Sequence, residues 1–148
     1  MPNPIVHFEI PVDDIPRAQS FYQKVFGWKI KQMPMPAGGI EYYGVTTRNE
    51  GQPGINGGLM KRNMPGQPFA NYVAVKSIDD FLAKVTSNGG SVVLPRQEIA
   101  PGMGSIAVFK DTEENMMGLY QPSKQEMKKA PAKKKAKKAA KAKKRTRR

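Results

Sequence analysis

The chain of 148 residues has no cysteine, a single histidine and a single tryptophan. It has no apolar run approaching the roughly 18 residues that a membrane-spanning helix needs. Lacking cysteine, it can form neither a disulfide nor a thiolate metal site, and this fits a reducing cytoplasm. A basic start and an apolar h-region are missing from the N-terminal stretch, so no secretory signal is expected. There is also no Gly-rich phosphate loop. Metal or acid–base chemistry therefore has to be sought around His7 and a few carboxylates.

Positive charge is abundant, and it is unevenly placed. The formal net charge is +13. Residues 124–148 hold 14 Lys/Arg and one acid, Glu126, whereas residues 1–123 hold 11 basic and 11 acidic residues. The sequence thus divides into a neutral globular body, 1–123, and a basic attachment, 124–148.

The body opens on Pro4 to Trp28. Val6, Phe8 and Ile10 alternate with His7, Glu9 and Pro11, the period-two pattern of a strand with two unlike faces. The apolar set is predicted to lie under a helix, with His7 and Glu9 on the opposite face. Asp14 is placed to cap a helix N-terminus, and Pro16 is tolerated in its first turn. Ile15, Ala18, Phe21, Tyr22, Val25 and Phe26 form an amphipathic stripe expected to pack on the sheet as core. Gly27 ends that helix. Strands are predicted over 28–33, 41–47 and 55–60, separated by Gly/Pro-bearing turns.

After a loop at 61–68 the pattern recurs. A strand at 69–76 leads to an N-cap at Ser77 and a helix with Ile78, Phe81, Leu82 and Val85 on one face. Asn88-Gly89-Gly90 closes it, and strands follow at 91–94, 105–109 and 116–121. At an offset of 63, Asp14 matches Ser77, Ile15 matches Ile78 and Gly27 matches Gly90. Neither half can cover both faces of its own sheet, so the two should pair. The expected fold is α+β: two βαβββ modules, 4–60 and 69–121, forming a curved mixed sheet around a cavity, followed by a disordered basic tail.

This layout resembles the vicinal oxygen chelate superfamily, which includes glyoxalase I, bleomycin-resistance proteins and extradiol dioxygenases. The phrases carrying the resemblance are HFEIPVDD, Phe21-Tyr22, Ile78-Asp79-Asp80, Asn88-Gly89-Gly90 and MMGLYQP, spread over residues 4–122. The phrases HFEIPVDD and MMGLYQP look more specifically like a group of small glyoxalase-related proteins. The resemblance implies a small-molecule ligand or substrate, lyase chemistry related to lactoylglutathione lyase or dioxygenase-like chemistry, and a homodimer. It also implies a metal site with two ligands from each half. His7 stands at the first ligand position, but the others fall on Gly58, Ala70 and Gly118. A catalytic divalent ion needs about three protein ligands. Full metal chemistry of the family's type is therefore not expected, and no cofactor is assigned. An improvised site at His7 and Glu9, helped by Asn56 or Asn71, is the alternative.

His7 and Glu9 are the candidate acid–base residues, since an imidazole titrates near neutrality. By strand parity, Asn56, Gly58, Met60, Tyr72, Met116, Gly118 and Tyr120 are expected to face the cavity. That makes a mostly apolar lining with a few polar handles, as small-ligand pockets have. Asp111, Glu113 and Glu114 lack the spacing of a calcium loop and read as a solvated turn. Arg48 and Arg96 read as surface residues.

From Lys128 on, the tail is built almost wholly of Lys, Ala and Arg with one Pro, and its composition predicts disorder. It resembles the lysine/alanine-rich arm of histone H1-like proteins. The candidate contacts are Lys133, Lys134, Lys135, Lys137, Lys138, Lys141, Lys143, Lys144, Arg145, Arg147 and Arg148. Such charges neutralise phosphates and release counterions, giving sequence-independent, salt-sensitive binding to nucleic acid. No aromatics are interleaved for base stacking. Anionic membrane is the alternative polyanion, without a hydrophobic anchor to favour it. The body is thus expected to be cytoplasmic, with the tail bringing it to the nucleoid. In a second reading the body serves only as a dimerisation or ligand-sensing module for a nucleic-acid-associated protein.

Overall fold

The computed structural model describes residues 2–129. The eleven tail contacts predicted above, from Lys133 to Arg148, lie outside the described residues. The chain runs β1 (Ile5–Val12), α1 (Ile15–Phe26), β2 (Lys29–Gln32), β3 (Tyr42–Thr46) and β4 (Gly57–Lys61). It continues with β5 (Ala70–Ala74), α2 (Ile78–Ser87), β6 (Ser91–Glu98), β7 (Ser105–Lys110), β8 (Met116–Gln121) and α3 (Lys124–Lys129). The eight strands form one sheet in the order β2-β3-β4-β1-β5-β8-β7-β6. Each module contributes four neighbouring strands, and the modules meet edge to edge where β1 pairs antiparallel with β5.

That central ladder places the internal repeat in space. His7 lies opposite Tyr72, Phe8 opposite Asn71 and Glu9 opposite Ala70. With an offset of 63, Phe8 and Asn71 are equivalent positions, so a pseudo-twofold axis passes between them. The same relation makes Ala70 the counterpart of His7, and Tyr72 the counterpart of Glu9. On either side the arrangement repeats: β1 runs parallel to β4, and β5 parallel to β8.

The helices form where their ends are capped. The Asp14 carboxylate accepts a hydrogen bond from the Arg17 N–H at 2.8 Å, a proline occupies the first turn, and Gly27 closes α1 in the left-handed region at φ +70°. Only glycine reaches that conformation without Cβ strain. The Ser77 hydroxyl caps α2 by accepting from the Asp80 N–H. Each helix then covers one half of the sheet. Phe8, Ile10, Ile15, Ile30, Val45 and Leu59 form the core under α1, while Val75, Ile78, Leu82, Ala107 and Leu119 form the core under α2. Leu59 and Ile78 are wholly buried, and each such side chain contributes about 1.5–3 kcal/mol.

Four expectations are corrected. Val6 does not join Phe8 and Ile10 under the helix. The β1–β5 register slips between Ile5 and His7, leaving Val6 as the extra residue of a bulge, and a bulge re-aims its side chain. Of the α1 stripe, Ile15, Ala18 and Tyr22 meet the core, whereas Phe21, Val25 and Phe26 are exposed. At about 100° per residue, Phe21 and Val25 lie about 120° and 80° round the helix from Ile15, on the shoulder rather than the buried line. Strand β6 continues through Pro95 to Glu98. It is an edge strand with two register irregularities, the setting in which a strand tolerates proline. Finally, ordered structure does not stop at 123. Helix α3 extends it into the segment assigned to the tail, and Ser123 and Glu126 explain why. The Ser123 hydroxyl accepts from the Glu126 N–H at 3.1 Å, and the Glu126 carboxylate accepts from the Ser123 N–H at 2.7 Å. This reciprocal pair is a capping box.

Candidate functional site

The sheet's concave face holds a cavity of about 410 Å³. Its walls are Met33, Met35, Ile40, Ile99, Met103 and Ile106, with Val6 from the bulge. Its polar groups are His7, Glu9, Tyr42, Tyr72, Tyr120 and Glu126. His7 and Glu9 project together because they are two apart on β1, and Tyr72 joins them from the facing position on β5. The His7 and Tyr72 rings meet edge to face, with centroids 5.7 Å apart.

Tyr42 reaches the same group from β3. Its hydroxyl hydrogen-bonds the His7 Nε2 at 2.6 Å. The reach depends on Gly58, which lies between β3 and β1 on β4, opposite Gly44 on one side and Glu9 on the other. A Cβ at Gly58 would collide with the Tyr42 phenol, and a Cβ at Gly118 would collide with the Tyr72 ring. The two glycines therefore do not leave open room in the cavity. They let two tyrosines lie flat across the sheet.

Burial sets the electrostatics of this floor. It lowers the His7 pKa, favouring the neutral imidazole. It pushes the Glu9 carboxyl above its ordinary value, with the Tyr72 and Tyr42 hydroxyls beside it opposing the shift. Burial also raises both phenols, and the neighbouring Glu9 charge adds to this, so both stay protonated and remain donors. At the rim, the Tyr120 hydroxyl donates to Glu126 at 2.7 Å. Partial burial pushes Glu126 up. The Ser123 N–H, the Tyr120 and Ser123 hydroxyls and Lys129 outweigh it, holding the carboxylate below its ordinary range.

Of the residues proposed from sequence, His7, Glu9, Tyr72 and Tyr120 line the cavity together. Gly58 and Gly118 lie beneath the tyrosines, and Met60 is buried beside Pro11 and Tyr42 in the strand ladders. Asn56 and Met116 are not among the lining residues. Asn56 is turned to the β3 end, where it accepts from the Thr47 N–H at 3.0 Å. Arg48 bonds the carbonyls of Asn49 and Gln52, and Arg96 pairs with Asp79. Asp111 closes its hairpin by accepting from the Glu113 and Asn115 N–H groups.

Sequence reasoning missed Tyr42 and Glu126 as site residues. The Ser-x-x-Glu spelling of Ser123 to Glu126 was a readable signal for the second. Nothing local marks Tyr42, which lies two strands away from His7 and whose role needs the glycine on the strand between them.

The family's divalent ion does not fit these residues. Its four positions carry one imidazole, an alanine and two glycines, and tyrosine rings occupy the space above both glycines. Among the described residues, no group of three or more His, Cys, Asp or Glu is gathered to hold a metal. Asn56, enlisted for an improvised site at His7 and Glu9, is engaged elsewhere.

The architecture is a glyoxalase and bleomycin-resistance type of fold. A family model described as bleomycin resistance protein-like N-terminal matches residues 4–38. CFP32 of Mycobacterium tuberculosis, which carries a glyoxylase name, is 29% identical over 119 residues, covering 78% of this chain and 44% of that protein. The chain thus spans less than half the length of this mycobacterial relative. A glyoxylase-like domain-containing protein of Didymella fabae is 29% identical over 111 residues, covering 72% of this chain and 84% of that one. Among solved structures, methylmalonyl-CoA epimerase from Mycobacterium tuberculosis superposes with a TM-score of 0.61 at 16% identity, over 84% of this chain and 91% of the epimerase. These likenesses support the vicinal oxygen chelate superfamily. No described helix is long and apolar enough to cross a membrane.

Proposed function

We propose that the body binds a small, mainly apolar molecule in the cavity without the divalent ion that the superfamily resemblance implies. The observation that carries this is the cavity's division of labour. Methionine and isoleucine walls offer apolar burial, and one polar floor offers orientation. Sites that take small ligands have this composition and a volume in this range. Within this reading, His7 and Glu9 are the groups positioned for proton transfer, and the lyase or dioxygenase alternative through an improvised metal site is disfavoured. The neutral probe N-phenyl-1-naphthylamine tests it. Saturable binding of one probe per chain, lost on Ile106→Trp at the cavity wall and unchanged by EDTA, is expected. Binding that persists in Ile106→Trp would place the probe elsewhere and defeat the reading.

The basic segment supports a second, separable activity: non-specific nucleic-acid binding. The whole net charge of the protein resides in residues 124–148, and such a density of one sign favours a polyanion. A chain cut after Lys129 keeps the capping box and removes 11 of the 14 positive charges. Its retention on DNA at low salt should vanish while probe binding stays. Equal retention would reject the tail as the nucleic-acid element. A homodimer is supported by the exposed Phe21, Val25 and Phe26 on α1. A Phe21→Asp change should then halve the mass seen by sedimentation, and an unchanged mass would exclude this face.

A further inference from the structure

The cavity's charges are all of one sign. Glu9 stands at its floor and Glu126 at its rim, and among the described residues no lysine or arginine lines it. His7, the only other group there that could carry positive charge, is kept neutral by burial. The same cavity is lined by the rings of Tyr42, Tyr72 and Tyr120 and by the thioethers of Met33, Met35 and Met103. Aromatic faces carry negative potential and attract a desolvated cation, while thioethers are polarizable and adapt to irregular shapes.

This chemistry discriminates among ligands. An anion would meet two lining carboxylates and, among the described residues, no lining lysine or arginine, since Lys129 is already engaged with Glu126. A strongly hydrated metal ion would find neither the ligand number nor the geometry, as shown above. A neutral hydrocarbon would use the walls but leave both carboxylates unanswered. An organic cation uses every part: its apolar groups lie against methionine and isoleucine, its charge faces the phenol rings, and the lining carboxylates answer that charge.

We propose that the cavity is a receptor for a lipophilic organic cation, an amine or quaternary ammonium compound with an apolar or aromatic body. The assignment rests on the reading of the cavity as a small-molecule site and names its ligand class. The tyrosines contribute in a way a metal-binding relative could not match, because they lie where Gly58 and Gly118 allow them. The bulky ligand side chains that would otherwise fill those positions are absent.

The test compares two probes of equal shape, benzyltrimethylammonium and its uncharged isostere neopentylbenzene. Binding of each to the full-length protein is followed by NMR titration. The cation should bind at least about tenfold more tightly than the isostere, within the range of a desolvated cation–π contact. Glu9→Gln and Glu126→Gln should each weaken the cation severalfold and leave the isostere unchanged. Glu126 is at the rim, and glutamine keeps a capping-box partner there, so that variant reports on charge without threatening the fold. Equal affinity for the two probes overturns the cation assignment and leaves the cavity reading standing. Failure of both probes to bind overturns the cavity reading itself. A cation preference that survives both carboxylate substitutions and Tyr72→Leu would place its binding outside this cavity and also overturn the assignment.

Discussion

The two modules share a backbone plan and differ in chemistry. Under the helices they are close copies: Leu59 in β4 and Leu119 in β8 are both buried, each beneath its own helix. On the cavity side they part. The first module supplies His7, Glu9 and Tyr42, whereas the positions equivalent to His7 and Glu9 in the second carry Ala70 and Tyr72. The apolar side of a repeated sheet is constrained by packing against a helix and stays similar. The cavity side carries no such constraint, so an identical frame can hold an acid–base pair in one half and a phenol in the other.

The strongest test of the shared frame is in the core. Leu59→Ala and Leu119→Ala should each cost about 2–5 kcal/mol, the range for emptying a buried leucine site, measured by urea unfolding. Losses differing by more than about 2 kcal/mol would break the equivalence of the halves.

The glycines should show where the halves diverge. Gly118→Ala places a methyl against the base of the Tyr72 ring, while Gly58→Ala meets the hydroxyl end of Tyr42. A ring pushed near its Cβ has little freedom, and one pushed at its far end can swing. Gly118→Ala should therefore cost about 1–3 kcal/mol, and Gly58→Ala less. The second change should instead release the Tyr42–His7 hydrogen bond, visible as a shift in the His7 ring resonances. Equal losses with an unmoved His7 would contradict this account.

The second module alone continues into a capped helix. Ser123→Ala should cost about 1 kcal/mol, the usual loss for an N-cap, and increase amide exchange at Glu126. The smallest effect concerns pH. Glu9 has a raised pKa when folded, so wild-type stability falls as pH rises from its unfolded value through its folded value. Glu9→Gln lacks that loss. Its advantage over the wild type should be absent well below pH 4.5, grow as pH rises and then level off. An advantage that is greatest in acid would reverse the sign and reject the burial argument.

Much of the fold was legible because it rests on local rules. Asp14, Ser77 and Gly27 announce helix ends by chemistry that acts within four residues, and the 63-residue offset exposes the repeat. Three kinds of feature were hidden. Val6 turned to the cavity because of a register slip against β5, which period-two alternation on β1 cannot reveal. Phe21 and Val25 fit a stripe drawn at three- and four-residue spacing, yet that stripe is wider than the line of α1 that meets the core at Ile15, Ala18 and Tyr22. In the site, His7 and Glu9 could be seen as a same-face pair. Their partner Tyr42 is brought in through a glycine on a third strand, and sequence spacing carries no record of that encounter.

The packing of Tyr42 over Gly58 and Tyr72 over Gly118 also has a consequence for how this chain could change over time. Each glycine and its tyrosine form a lock in which neither can be altered alone without penalty. A glutamate introduced at either position would meet an aromatic ring before it met a metal. The ring would have to become smaller first, and that intermediate would have lost its phenol while gaining no ligand. A route to an ion-binding site therefore runs through a form poorer at either task, and this would help keep the cavity as it is.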